Sequence, residues 1–367
     1  MTLAANNTRQ NGSVIIIVLW TAVLLTVLVT AMAGKVRLSA QTAAHNRDAS
    51  WEWAELMAAV NFAEAELMLA RMPQPIDFQP ETTDEGEVRE PFYRFDGEAL
   101  ELSYPKSENM VVRIFDHAGK INLNRIPRGN MRLLIEKQLG GLDADPEEVE
   151  GLLDAWMDWT DLNELAGLNG AERDYYMDLE IPFNPRNNPE LDTVEEILHV
   201  RGFAELFEGV NLDAAFTIYG NERSVNLNVA TRETMRLLPG LDEELIETII
   251  AYREIEDINN QAELAEIVPF ENLQELAPWV GTNTTNIYSI FAYPKQQTVG
   301  SAATGLEANL EEEDEGSEEF EDTVRQAYME IVEVRSGSAL PRVYKVDPYG
   351  FLPDTAKARV EEYGIEL

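Results

Sequence analysis

The chain has no cysteine and only three histidines, His45, His117 and His199, which stand far apart along its 367 residues. The first absence excludes a disulfide framework and any Cys-based zinc or redox centre. The second gives no basis for a histidine-based metal site or a Ser-His-Asp set. Basic residues are scarce as well: 28 Lys and Arg stand against 67 Asp and Glu, for a net charge of -39. Such a surface repels phosphate backbones and anionic headgroups, so nucleic-acid binding is not expected, whereas solubility outside the cytoplasm or divalent-cation binding would suit it. No GxxxxGK phosphate loop occurs, the serines are scattered, and the chain reads as a non-enzyme.

What is present begins at Ser13, which is followed by VIIIVLWTAVLLTVLVTAMA, residues 14–33, with no charge among them. At about 1.5 Å per helical residue this run spans roughly 30 Å, the thickness of a bilayer's hydrocarbon core. An amphipathic continuation without Pro or Gly runs from Lys35 to Arg71, and Met72-Pro73-Gln74-Pro75 stops it. Its apolar positions, among them Val36, Leu38, Trp51, Val60, Ala63, Leu67 and Leu69, predict a face packed on a core. Lys35 and Arg37 follow the apolar run on what would be the exported side, against the positive-inside preference.

Two readings of residues 1–33 compete. A secretory cut after Ala33 fits the small-x-small rule, but the apolar run exceeds the roughly 7–15 residues of a signal core and Arg9 is the single basic residue before it. A cut after Gly12, leaving Ser13 as the new N-terminus, keeps the helix. A short polar leader ending in Gly against a hydrophobic helix resembles the type IV prepilin and pseudopilin signal. That resemblance implies processing by prepilin peptidase and methylation of the new N-terminus. Most members of that group carry Glu five residues into the mature chain, and here the position is Ile17.

Beyond the helix, residues 76–91 read as an acidic loop. Residues 92–95 with 100–104 predict a hairpin turning at Asp96-Gly97, and residues 110–115 predict a further strand. The sequence then repeats itself. INLN at 121–124 is followed after six residues by MRLL at 131–134, and VNLN at 225–228 is followed after six by MRLL at 235–238. Each Asn is expected to cap or turn the chain into a helix. The second copy continues as LPGLDEELIETIIAYRE, residues 238–254, which resembles a helix-hairpin-helix unit. Units of that kind commonly bind DNA through a hairpin backbone. Here Asp242, Glu243 and Glu244 stand where phosphates would approach, so a packing role is expected. Further helices are predicted over 147–159 and 193–200, a strand over 286–293, and a hairpin from 327–335 and 342–346. Residues 298–322 are acidic and low in complexity, and read as a disordered loop. The tail from Asp354 reads as a short helix.

The segment Asp154-Ala-Trp-Met-Asp158-Trp-Thr-Asp161-Leu-Asn163-Glu164, with Gly170-Ala171-Glu172-Arg173-Asp174-Tyr175-Tyr176 and the turn Pro182-Phe183-Asn184-Pro185-Arg186-Asn187, resembles the general secretion pathway protein K family. Asp116-x-x-Gly119-x-Ile121-Asn122-Leu123-Asn124 extends the likeness, which covers most of residues 110–255. These are minor pseudopilins of type II secretion, which lack the Glu that Ile17 replaces. The resemblance implies an α+β fold in which a long N-terminal transmembrane helix packs on a small antiparallel sheet. A large all-α domain with helix-hairpin-helix-like units is inserted in it. The expected organisation is a leader at 1–12, a transmembrane helix at 13–33 and the pseudopilin helix with first strands at 34–118. The α-helical insert follows at 119–285, with repeats at about 119–215 and 222–285, and then returning strands at 286–367. The implied partners are minor pseudopilins of the I and J types, the major pseudopilin and prepilin peptidase. The implied place is the bacterial inner membrane, single-pass, with the C-terminal bulk in the periplasm, at the tip of a short fibre whose assembly the chain helps to initiate. The alternative is a membrane-anchored helix-hairpin-helix module of the DNA-uptake type. Asp161, Asn163 and Glu172 occupy positions 1, 3 and 12 of a loop with calcium-type oxygen ligands. Leu165 and Ala166 break the EF-hand pattern; the family resemblance implies calcium at an irregular site, and the alternative is that these carboxylates cap helices on a solvated face.

Overall fold

The computed structural model describes residues 11–72, 95–100, 109–180, 182, 184–185, 188–295, 326–335 and 340–353. The leader before Asn11, the loop 76–91, the acidic segment 298–322 and the tail from Asp354 lie outside the described residues. The chain divides into two compact units, Met1–Met57 and Ala58–Leu367. Both draw on one helix, α1 (Asn11–Ala70).

In the first unit, α1 is solvent-exposed from Ile15 to Glu55, and its side chains from Ile15 to Met32 are almost all apolar. It is long and apolar enough to cross a membrane, with a mean hydropathy of 2.7 over its best window. The three threonines of this stretch turn their hydroxyls back onto the helix. Thr21, Thr26 and Thr30 donate to the carbonyls of Val18, Ala22 and Thr26 at 2.8–2.9 Å. Their polar atoms are thereby satisfied without water, as a lipid-facing helix requires. The amphipathic face expected along the whole continuation is realised only over its last turns. Ala59, Val60, Ala63 and Leu67 are buried, while Val36, Leu38, Trp51 and Leu69 stay exposed. The sheet covers only those turns.

The second unit is organised on a five-stranded antiparallel sheet of order β1-β2-β5-β6-β7. Its strands are β1 (Asp96–Ala99), β2 (Met110–Asp116), β5 (Ile287–Pro294), β6 (Gln326–Glu333) and β7 (Arg342–Phe351). Asp96 and Gly97, expected as a turn, lie instead within β1. Gly97 adopts φ +98, and a Cβ there would stand 2.1 Å from the Phe115 ring. The register shifts between Asp96 and Ala99, so the turn-forming pair serves as a bulge. Most of the expected first hairpin, at 92–94 and 101–104, lies outside the described residues.

β2 and β5 pair in continuous register, from Met110 with Pro294 to Asp116 with Tyr288. They form a hairpin whose connection is the whole helical region. The Asp116 carboxylate closes its base by accepting from Ala118 N at 2.8 Å and from the Thr285 hydroxyl at 2.5 Å. Burial raises the Asp116 pKa to about 6 against the pull of those donors. Strand alternation puts Val111, Phe115, Phe291, Met329 and Ile331 on one face of the sheet, where they form a core with Tyr219 and Tyr344.

The helical region contains β3 (Ile121–Asn122), α2 (Arg128–Gln138), α3 (Pro146–Thr160), α4 (Arg173–Met177), α5 (Phe203–Leu206), α6 (Leu212–Ala215) and β4 (Phe216–Thr217). After these come α7 (Arg232–Leu237), α8 (Glu243–Arg253), α9 (Gln261–Ile267) and α10 (Phe270–Leu276). The stretch expected as a helix at 193–200 is a 3-10 helix, Val194–His199. β3 and β4 pair in parallel, Ile121 with Phe216. Val225 pairs in parallel with Val280. Each sequence repeat thus starts on an extended residue, runs through helices and returns to that residue. One hydrophobic core spans both repeats, with Met131, Leu134, Trp156, Phe203, Met235, Ile249 and Trp279 among its members.

Candidate cation site

The repeated asparagines turn the chain but do not cap the helices that follow. Pro127 and Thr231 occupy the N-cap positions of α2 and α7. Asn122 and Asn226 each accept, at 3.1 Å, from the backbone N–H two residues on, an Asx turn. Asn124 and Asn228 reach much further along the chain. Asn124 accepts from Leu191 N at 2.7 Å and donates to Leu191 O at 3.2 Å. Asn228 accepts from Ile258 N at 2.9 Å and donates to Ile258 O at 3.0 Å. The same two-way clamp therefore holds the same point of both repeats.

Because the clamps match, the repeats can be compared between helix end and clamped residue. The second passes from Arg253 to Ile258 directly. The first passes from Thr160 to Leu191 through an added segment, 161–190. The fold of the second repeat shows that the clamp closes without such a segment. Within it lie Asp161 and Glu172, which the structure brings together with Asp158 from the last turn of α3. One carboxylate oxygen of each lies within 4.8 Å of the others. Asn163 stands beside them, hydrogen-bonded to Asp161. Its amide donates to Asp161 at 2.5 Å, and its carbonyl oxygen accepts from Leu165 N at 2.7 Å.

Asp158 reaches the site through helix periodicity and Glu172 through the loop's return. Asp158 accepts from Gly167 N at 3.0 Å with both oxygens, so the loop folds back over it. Gly170 passes so close that a Cβ there would stand 1.7 Å from Asp158 Oδ2. Glu172 precedes α4 but makes no side-chain cap. It is 7% exposed, and its Oε1 has no hydrogen-bond partner. Burial first, then the neighbouring Asp158 and Asp161, raise the Glu172 pKa, and burial likewise raises that of Asp158. Three carboxylates with a buried, unpartnered oxygen form a set of hard oxygen donors that fits a divalent cation of the calcium type. With its polar atoms turned inward, the loop leaves Leu162, Leu165 and Leu168 facing solvent.

The other residues singled out in the sequence are placed as follows. Gly12, Ser13 and Ile17 all lie in α1, and the Ile17 side chain is exposed in the apolar stretch. The helix-hairpin-helix turn is packed against the protein itself. Gly240 adopts φ +77, with room for no Cβ before Asn272 O at 2.5 Å, and Asn272 donates to Gly240 O at 2.8 Å. Lys137 donates to Leu241 O. His117, which stood isolated in the sequence, is joined by the β2–β5 hairpin to Ser289 at 2.8 Å, and Lys120 donates to the same hydroxyl at 2.9 Å. Ser289 is 0% exposed, so this serine, lysine and histidine tie the sheet to the helical region where no substrate can reach. Burial pushes the His117 pKa well down and lowers that of Lys120 to about 8.

Comparison with known proteins gives two findings. Residues 119–207 match the family model of Type II secretion system (T2SS), protein K. The crystal structure of the GspK-GspI-GspJ complex from the enterotoxigenic Escherichia coli Type 2 Secretion System includes a similar chain. It is 13% identical, with a TM-score of 0.47, over 84% of this chain and 98% of that one. No curated protein matches this sequence. The matched segment contains α2, α3, the added loop and its carboxylate cluster, and over these residues the chain is similar to type II secretion system protein K, the family that its sequence motifs resemble.

Proposed function

We propose that this chain is a non-enzymatic minor pseudopilin that acts by packing, at the tip of a periplasmic fibre whose assembly it helps to start. The observation that carries this reading is α1. One unbroken helix combines a lipid-length apolar run with a final buried stretch in the unit built on the five-stranded antiparallel sheet. In a neighbouring helix of the fibre, a buried Glu would need the amine of a subunit already in place. Ile17 has no such requirement and can come first. The proposed partners are minor pseudopilins of the I and J types and the major pseudopilin, with prepilin peptidase acting between Gly12 and Ser13. The proposed orientation puts the C-terminal bulk in the periplasm of a single-pass inner-membrane protein. The helical region between β2 and β5 would block addition of a subunit above it. A variant lacking residues 120–285 should then be found along the fibre. If that variant still occupied only the tip, the blocking role would be wrong.

Asp158, Asp161 and Glu172 are proposed to hold a calcium ion. When bound, the ion supplies positive charge and oxygen coordination. It would neutralise the cluster and fasten the loop 161–172 to α3. Asp158, set by the helix, and Glu172, set by the loop's return, are the two rigid members. A carboxylate with an unpartnered buried oxygen costs stability, so calcium should raise the unfolding temperature of the parent chain. Asp158→Asn combined with Glu172→Gln should abolish that rise, and an unchanged rise would refute the assignment.

A further inference from the structure

The residue that holds the added loop in shape comes from elsewhere in the chain. Arg201 lies just after the 3-10 helix Val194–His199. Its guanidinium donates to Gly170 O at 3.0 Å, to Gly151 O at 3.0 Å and to Asn169 O. The same group lies over the Tyr175 ring, 5.5 Å from its centre, and the Arg201 N–H donates to the Tyr176 hydroxyl at 3.2 Å. The Arg201 side chain thus joins α3, which carries Asp158, to the two residues before Ala171-Glu172 and to Tyr175 after them, while its backbone N–H holds Tyr176. These hydrogen bonds go to carbonyl oxygens and not to the three carboxylates, so the guanidinium sets position and leaves the cluster's charge in place.

We infer that Arg201 is the positioning residue of the Asp158–Asp161–Glu172 site, holding Gly170 against Asp158 so that the Glu172 carboxylate faces the other two. The inference rests on the cation reading of that cluster. Geometry supports it from both sides. Gly170 has no space to move towards Asp158, and the planar fork of an arginine serves several carbonyls where a lysine ammonium serves them singly and flexibly. Removing a positioning partner of this kind costs a metal site about ten- to a hundredfold in affinity.

The test is terbium titration of the full-length chain in detergent micelles, with sensitised emission through Trp159 and Tyr176, followed by competition with calcium. Arg201→Lys and Arg201→Gln should each weaken terbium binding by about ten- to a hundredfold. Arg253→Lys is the matched control. Arg253 donates to Leu227 O at 2.9 Å and Ala230 O at 2.7 Å in the second repeat, so its loss should lower the unfolding temperature without moving the affinity. Parent-like binding by Arg201→Lys would overturn the positioning role alone, as would an equal loss of affinity in Arg253→Lys. Parent-like binding by the Asp158→Asn, Glu172→Gln double variant, or no saturable binding by the parent, would overturn the cation reading and this inference with it.

Discussion

At the scale of single residues, the energetics concentrate in a few asparagines and glycines. Asn124 satisfies Leu191 N, Leu191 O and Ile218 O together. Asn124→Ala would strand these groups where water reaches them poorly, at a cost of about 2–4 kcal/mol. For a unit of this size that is a drop of roughly 3–6 °C in the unfolding temperature, readable by circular dichroism. Asn228→Ala should behave alike, and a drop in one variant only would show that the two clamps are not equivalent. Gly170→Ala addresses the cluster instead. Its Cβ would stand 1.7 Å from Asp158 Oδ2, so terbium affinity should fall at least tenfold, on the scale of a lost supporting contact. The repeated Asn motif was legible in the sequence, but its partners were not. Leu191 and Ile258 carry no signal of their own because the clamp uses their backbone.

At the scale of elements, the packing of α1 on the sheet contains a proton. Glu64 sits on α1 between the buried Ala63 and Leu67, and burial first, then the charge of Glu330, raises its pKa to about 7. Glu330 lies on β6, where Tyr328 donates to it at 3.0 Å. The folded chain keeps the Glu64 proton up to about pH 7, whereas an unfolded glutamate releases it near 4.5. This contribution to stability is therefore full below pH 4.5 and is lost as the pH rises to 7. Asp116, raised to about 6, acts in the same direction. Urea unfolding from pH 5 to about pH 8 should show falling stability, and Glu64→Gln should flatten part of the fall. A parent-like slope in that variant would assign the effect to other groups. The helix and strands behind this interface were readable from apolar spacing. The meeting of Glu64 with Glu330 was not, since it depends on which face of α1 meets which strand.

At the scale of the whole molecule, the proposed fibre role depends on the anchor and on the processing point. The mature N-terminus, read by mass spectrometry of protein from the native membrane, should be Ser13 with the helix retained. A chain beginning at Gly34 would exclude the fibre role. Ile17→Glu should leave membrane insertion intact but remove the chain's freedom to come first, which a subunit-order assay by crosslinking would register. The protein K likeness was legible because the aspartate, tryptophan and tyrosine run at 154–176 is dense and local. The carboxylate cluster was only partly legible. The spacing pointed to Asp161, Asn163 and Glu172, and the fold adds Asp158, because helix periodicity and the returning loop bring it to Asp161 and Glu172.

By itself the sequence determined the features written in local pattern: a lipid-length apolar helix, the alternation of strands, the duplicated Asn motifs, and an acidic chain with no cysteine. These follow from nearest-neighbour periodicity and from composition. Only the tertiary structure decided that β2 and β5 form one hairpin around the helical region. It alone set His117 beside Ser289, and Asp158, Asp161 and Glu172 beside one another with Arg201 behind them. The physical reason is that such contacts join residues far apart in the chain, and their distances are fixed by the packing of whole elements and not by any spacing along the sequence.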